Sequence, residues 1–391
     1  VTAKPANHTK TGPLAGLTVV EMAGLGPVPL AGLMLSEMGA EIIRIERPSL
    51  DRSFLRLPPQ YDLDRHGREI LRVDLKRPEA AELVLRLLDK ADALIEGFRP
   101  GVMERLGLGP EVACARNPGL IYGRMTGYGQ TGPLAKRAGH DLTYLAYSGV
   151  LHAIVSKGGK PVPPLNLVAD YGGGTMMLVM GLLAALFERS RSGKGQIIDA
   201  AMVDGASMLA APYFGFMAAG IWQDRRGENL LDSGTPFYDT YETADGRHIA
   251  VACLEPHFFA EFARLLPLDA RFVAAQYDKN TWDEMRAAIA EQVQRKMRDE
   301  WTAVFEGTEA CVAPVLSFGE APHHPHSQAR QSHVEADGCT RPRPAPRFSR
   351  TDAAPAIPPS GEACDASAIL TRFGFSDAET EALAKGGIVG R

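Results

Sequence analysis

The chain has 391 residues, of which 45% are hydrophobic and 23% charged, with a formal net charge of −5. That length exceeds what one hydrophobic core usually serves, so two domains are expected, and the mixed charge gives no field suited to nucleic acid or to an acidic membrane. The five cysteines (Cys114, Cys253, Cys311, Cys339 and Cys364) have no C-x-x-C spacing, which fits reduced thiols in a cytoplasmic protein better than a disulfide framework or a structural metal site.

The first residues, VTAKPANHTKTGPLAG, lack an apolar signal core, and GGIVGR at the other end is not a peroxisomal tripeptide. LTVVEMAG (17–24) reads as a strand ending in glycine, PLAGLMLSEMGA (29–40) has helical spacing, and EIIRIERP (41–48) is a second strand stopped by proline. This opening predicts a parallel sheet. VDLKRPEAAELVLRLLDKADALIEGF (73–98) repeats the pattern, with VDLK as the strand and a helix from Pro78 through Leu88. GLIYGRMTGYG (119–129) adds a buried strand and turn. The longest apolar run, the twelve residues from Met176 to Phe187, is too short to span a bilayer and reads as a buried helix.

Near residue 225 the texture changes. RRGENLLDSGTP is loop-like, and FYDTYETADGRHIAVAC (237–253) reads as two strands joined across ADG. Helical material is predicted over 257–265 and 282–305. Residues 321–364, rich in Pro, Ala and Arg, read as a surface connector; the tail regains helix, with Ser376 and Glu379 as a capping box and Gly386 as the stop. The expected organisation is α/β: a large domain with a parallel, Rossmann-like sheet over 1–200, linker helices over 201–236, a smaller α+β domain over 237–320, and 321–391 returning to pack on the large domain.

VVEMAGLGPVPLAG sets Gly24-x-Gly26 after a strand, with Glu46 at the end of the next, which is the layout of a dinucleotide fingerprint. The third glycine is missing, however, and Pro27 and Pro29 remove N–H donors where a pyrophosphate would need them. Arg47, beside Glu46, suits a phosphate or an adenine better than a diol. In PLNLVADYGGG, Asp170 precedes three glycines and a long helix. It can cap that helix, while the glycines would let a ligand approach and the helix-start amides hold an oxyanion. His140 in RAGHDLTYLAYSG is a structural imidazole or a base, and Glu255 in VACLEPHFF is an ordinary strand-end acid or a functional one. HHPHSQAR (323–330) lacks carboxylate or Cys ligands and reads as a solvated loop, and Cys311 in EACVAP as a packed thiol.

Taken together, these contexts resemble the α-methylacyl-CoA racemases of the family III CoA-transferase group. The resemblance covers nearly the whole chain, through LTVVEMAGLGPVPLAGLMLSEMGAEIIRIERP, FRPGVMERLGLGPE, AGHDLTYLAYSGVL, PLNLVADYGGG, SGKGQIIDAAMVDG and GTPFYDTYETADGRHIAV. It implies an interlocked homodimer acting on an acyl-CoA thioester, with no cofactor beyond the CoA of the substrate. It also implies that His140 and Asp170 are the two acid/base residues and Glu255 the partner of the histidine. The CoA contacts it implies are Arg47, Val73, Asp74, Leu75, Lys76, Arg99, Gly139, Asp141 and Tyr144.

Such chemistry uses one group to remove the α-proton of a thioester and another to return a proton to the opposite face. Histidine titrates near neutrality, and a carboxylate behind it holds its tautomer. Asp170 must donate when His140 abstracts, which needs a raised pKa, whereas a helix start lowers it. Two positions depart from the pattern: Glu69 stands where relatives commonly carry Arg, and Thr143 replaces the usual Asn. Transferases of the group use the matching aspartate as a covalent nucleophile and generally lack the histidine; such a transferase and a non-catalytic CoA-binding protein are the alternatives. Met176, Met177, Met180, Met208 and Met217 are compatible with an adaptable acyl surface, although a Met stripe at helical spacing is more often core.

Overall fold

The computed structural model describes residues 11–48, 57–336, 338–359 and 366–390, so Cys364 lies outside the described residues. Two compact units are present: one from Val1–Ser148, Leu165–Leu209 and Gln331–Arg391, the other from Gly149–Pro164 and Ala210–Arg330.

The first unit holds a parallel sheet of strands β1 (Thr18–Met22), β2 (Glu41–Glu46), β3 (Arg68–Arg72), β4 (Ala93–Glu96), β5 (Ile121–Thr126) and β6 (Ile197–Ala201), in the order β3-β2-β1-β4-β5-β6. Helices Pro27–Glu37 and Pro78–Leu88 each begin on a proline, where a missing N–H loses no helical bond. The second buries Leu83, Val84, Leu87 and Leu88 in the core.

The third strand is REILR and not VDLK. Val73 instead pairs with Val389, and the Asp74 N–H donates to the Ile388 carbonyl at 2.9 Å. Two of the charges in REILR have partners: Arg68 Nε donates to Glu21 Oε2 at 3.1 Å, and Arg372 Nη1 to Glu69 Oε1 at 3.1 Å. Arg44 also pairs with Glu21, and donates to Glu46 at 2.9 Å. Gly32 in the first helix leaves room for this buried ion network, since a Cβ there would collide with the Glu21 and Arg68 side chains.

Leu167–Ser192 is one continuous 26-residue helix, π-helical over Leu167–Thr175 and α-helical over Met176–Ser192. By length and composition alone it could cross a membrane, a test that a helix packed on a sheet also passes. Leu178, Val179, Leu182 and Ala185 are buried, with Leu178 and Leu182 over Gly123 of β5. Met176, Met180, Leu183 and Phe187 are exposed, so the helix is buried on one face only.

In the second unit, β7 (Tyr238–Glu242), β8 (His248–Ala252) and β9 (Val312–Pro314) form an antiparallel sheet over Phe237, Phe259, Phe262, Trp282, Met285 and Trp301. The helical stretch 282–305 is two helices, Trp282–Val293 and Arg298–Phe305. The break is held by Trp301 Nε1 donating to the Val293 carbonyl at 2.8 Å and by the Arg298 N–H donating to Asp245 Oδ1 at 3.2 Å.

The connector contains structure that its composition hides. Strands β10 (His333–Ala336) and β11 (Cys339–Pro342) form a hairpin, from which buried Arg341 donates to His66 Nδ1 at 2.7 Å. In HHPH, His324 Nδ1 accepts the His326 N–H at 3.3 Å, capping a short helix. The tail helix Asp377–Lys385 carries the expected capping box, and Gly386 ends it.

Candidate active site

Strand order reverses between β1 and β4, and in open parallel sheets the crevice beyond such a reversal is where ligands sit. A cavity of about 380 Å³ lies there, walled by Leu25–Val28 after β1, Gly97–Pro100 after β4 and Met125–Tyr128 at the end of β5. Both His140 and Asp170 line it, as do Arg99, Gly139 and Tyr144.

His140 immediately precedes helix Asp141–Ser148 and is exposed. Thr143 fixes its backbone: Thr143 Oγ1 accepts the His140 N–H at 3.0 Å and donates to the His140 carbonyl at 2.8 Å. The replacement of the usual Asn at this position therefore still serves the histidine's turn.

Asp170 does not cap a helix. It lies within the π-helical stretch, and the carboxylate that receives its N–H is that of Asp141, whose Oδ2 accepts from Ala169 and Asp170 at 2.8 Å each. Burial pushes the Asp170 carboxyl above its usual range; Asn166, donating to Oδ2 at 3.3 Å, and His140 pull it down, and Asp141 pushes it up. Freed from a capping role, the residue can be held as an acid.

The glycine run also does something other than expected. Gly173 and Gly174 are buried, and a Cβ on Gly173 would stand 2.5 Å from the Ala206 nitrogen and 2.9 Å from the Gly205 carbonyl carbon. Gly173 thus lets this helix and Met202–Leu209 touch backbone to backbone, Gly174 packs on the Met202 and Pro27 side chains, and neither lines the cavity.

The other anticipated contacts divide. Arg47 and Lys76 are exposed and follow β2 and β3, on the same sheet edge as the cavity, but they do not line it. Val73 is buried against the tail, Leu75 packs against the core, and Asp74 Oδ1 accepts the Lys76 N–H at 3.1 Å. Asp141 is buried and joins two backbone segments. The Tyr144 hydroxyl is pushed up to about 12, chiefly by burial. Glu255 belongs to the second unit, exposed at the start of helix Pro256–Leu265; its charge adds to burial in raising Tyr277 and Cys311.

Gly26, which the sequence offered only as part of a dinucleotide-like loop, takes φ 72 and brings its backbone against Asp170. Other residues had no signal in the sequence. Glu96, buried at the end of β4, accepts the Phe98 N–H at 2.7 Å and Arg124 Nε at 3.1 Å, so it shapes the turn carrying Arg99; burial pushes it up to about 7. Arg137 adds a second cation to the cavity wall. Glu46, by contrast, is buried and accepts from Arg44 at 2.9 Å and Arg65 at 3.1 Å, which leaves it no role at a ribose.

An imidazole and a carboxyl thus line one cavity at the switch point of a doubly wound sheet, the place where α/β enzymes of this class bind their ligands. The chain belongs to CoA-transferase family III, whose family model matches residues 14–362. It is 44% identical over 371 residues to α-methylacyl-CoA racemase from Mus musculus, covering 94% of each chain. With α-methylacyl-CoA racemase from Homo sapiens it shares 42% identity over 372 residues, again 94% of each. Among solved structures, a CAIB/BAIF family protein from Brucella suis superposes with a TM-score of 0.80 at 27% identity, covering 93% of this chain and 100% of that one.

Proposed function

We propose that the protein is a racemase of 2-methyl-branched acyl-CoA thioesters, and that His140 and Asp170 are its two bases. The observation that carries this reading is the placement of both side chains on one cavity, with Asp170 held toward its acid form. In one direction the neutral His140 imidazole takes the α-proton, the electron pair enters the thioester as an enolate, and Asp170 delivers its proton to the opposite face. The enzyme is left with imidazolium and carboxylate, which process the other enantiomer in reverse. The amide end of helix Asp141–Ser148, next to His140, favours the developing enolate charge.

Arg99 and Arg137 provide cations for the CoA phosphates at the cavity, and the sheet edge with Arg47 and Val73–Lys76 extends that path. Glu255 supports the imidazolium, from its own chain or across a homodimer. A homodimer is supported by the exposed apolar side chains of Met180, Phe187 and Met208, which favour cover by another surface. The free thiols of Cys114, Cys253, Cys311 and Cys339 support a reducing, cytoplasmic setting, and no cofactor beyond the substrate's CoA is invoked.

The test is incubation of each pure enantiomer of a 2-methylacyl-CoA in deuterated buffer, read by mass spectrometry and chiral separation. Each should gain one α-deuterium with inversion. Exchange of CoA between free acids without α-deuterium, together with a hydroxylamine-trapped acyl adduct on Asp170, would replace this reading with acyl transfer.

A further inference from the structure

We propose that Asp141 is the positioning residue of the site: its carboxylate locks the start of the His140 helix to the turn that carries Asp170 and keeps a buried negative charge beside Asp170. The proposal rests on the racemase reading of this cavity and deepens it. Asp141 follows His140 directly in the chain, so whatever holds its side chain also holds the histidine's turn. That side chain reaches a segment remote in sequence, where Oδ2 accepts two adjacent backbone N–H groups, those of Ala169 and of Asp170 itself, at 2.8 Å each. The two acid/base groups are thereby tied through one carboxylate.

The second oxygen is the telling one. Asp141 is 5% exposed, and its Oδ1 is buried with no hydrogen-bond partner among the described residues. A buried, unsatisfied carboxylate oxygen is costly, and such groups are rare in folded proteins unless they have a use. An asparagine could accept the same two N–H bonds through its amide oxygen without the charge, so the joint alone does not call for an aspartate.

What the charge does is act on its neighbour. Like charge disfavours ionisation, and Asp141 acts with burial to push the Asp170 carboxyl above its usual range. The opposing groups are the Asn166 amide and His140; Tyr144, from the same helix as Asp141, is the other titratable group beside Asp170. This arrangement answers how a carboxyl within a helix can serve as a proton donor. The pull of a helix start falls on Asp141, which receives the amides, and Asp170 is left in a pocket that favours its neutral form.

The experiment is carbon-13 NMR titration of the Asp170 carboxyl, assigned with Asp170→Asn, in the wild-type protein and in Asp141→Asn and Asp141→Ala. In Asp141→Asn, Asp170 should titrate lower than in the wild type, since one buried like charge is gone. The acidic limb of kcat/KM should move the same way, while the ratio of inversion to α-hydrogen exchange stays at the wild-type value. In Asp141→Ala the joint is lost as well, and that ratio should fall severalfold. An unchanged Asp170 titration in Asp141→Asn overturns the electrostatic part, and a wild-type ratio in a folded Asp141→Ala overturns the joint. The titration needs no substrate, so it stands even if the wild-type enzyme moves no α-proton, an outcome that would count against the racemase reading instead. Should Asp141→Ala not fold, Asp141→Asn alone decides.

Discussion

Gly26→Ala probes how closely the backbone approaches Asp170. Gly26 precedes helix Pro27–Glu37 at φ 72 and ψ −118, a region that side chains avoid. Forcing alanine into such a conformation costs about 1–3 kcal/mol. The new Cβ would also stand 3.2 Å from Asp170 Oδ2, inside ordinary van der Waals contact, so the carboxylate must yield by a few tenths of an ångström. Its bond from Asn166, 3.3 Å long, has little margin to follow. With about 2 kcal/mol lost and roughly 2–4 °C per kcal/mol for a large domain, the melting temperature should drop by about 4–8 °C. A misplacement of 1 Å can cost roughly 100-fold in rate, so a shift this small should slow inversion by about tenfold. Differential scanning fluorimetry and the chiral deuterium assay read the two effects. Gly24→Ala is the control: a Cβ at that position would have the Met22 carbonyl as its nearest neighbour, at 4.0 Å, and the variant should behave as wild type. A dinucleotide loop would need both glycines, so equal damage in the two variants, or none in Gly26→Ala, would refute the reasoning.

Glu69→Arg removes the bonds from Arg372 and opposes two guanidinium groups; because both side chains are more than a third exposed, the loss should be no more than about 1 kcal/mol and should shrink in high salt. CoA affinity, read by calorimetry, should be unchanged, because Glu69 is paired to the tail helix Ala366–Arg372; markedly tighter binding would place it at the phosphates instead. For Asp170, burial raises the folded-state pKa above 3.8, so its ionisation opposes folding: the contribution to stability is full below that value and lost as pH rises through the folded pKa. Asp170→Asn should therefore melt higher than wild type once the pH is above the unfolded-state value, by a margin that grows until the pH passes the folded-state pKa, while losing inversion. A variant less stable than wild type at the upper end would show that the carboxylate is well stabilised there.

Legibility in the sequence followed the range of the interactions involved. The first helix, the β7–β8 hairpin and the Ser376–Glu379 capping box depend on neighbours a few residues away, and their residue patterns announce them. The third strand escaped because Arg68 and Glu69 look solvated until Glu21 and Arg372 are placed opposite them. Asp170 has the sequence context of a cap, but its helix begins earlier, at Leu167, and the capping carboxylate arrives from Asp141 on another element. The glycines beside it promise an open backbone, yet Gly173 meets Gly205, a pairing visible only once the two helices are packed. His140 and Asp170 were found as residues; the cavity that joins them, with Gly26, Glu96 and Arg137, comes from loops at the ends of different strands.

The clasp between the tail and the third strand bears on how the chain comes off the ribosome. The second unit is finished once Arg330 has emerged, whereas the first still waits for Gln331–Arg391, although its opening strand was made first. Until then Val73 has no Val389, Asp74 no Ile388, and His66 no Arg341. The earlier-made strands of the first unit are therefore the last to close, and they must hold apolar side chains such as Leu71 and Val84 out of trouble while the second unit folds. A chain cut within Gln331–Arg391 should be injured around His66 and Val73, far from the cut.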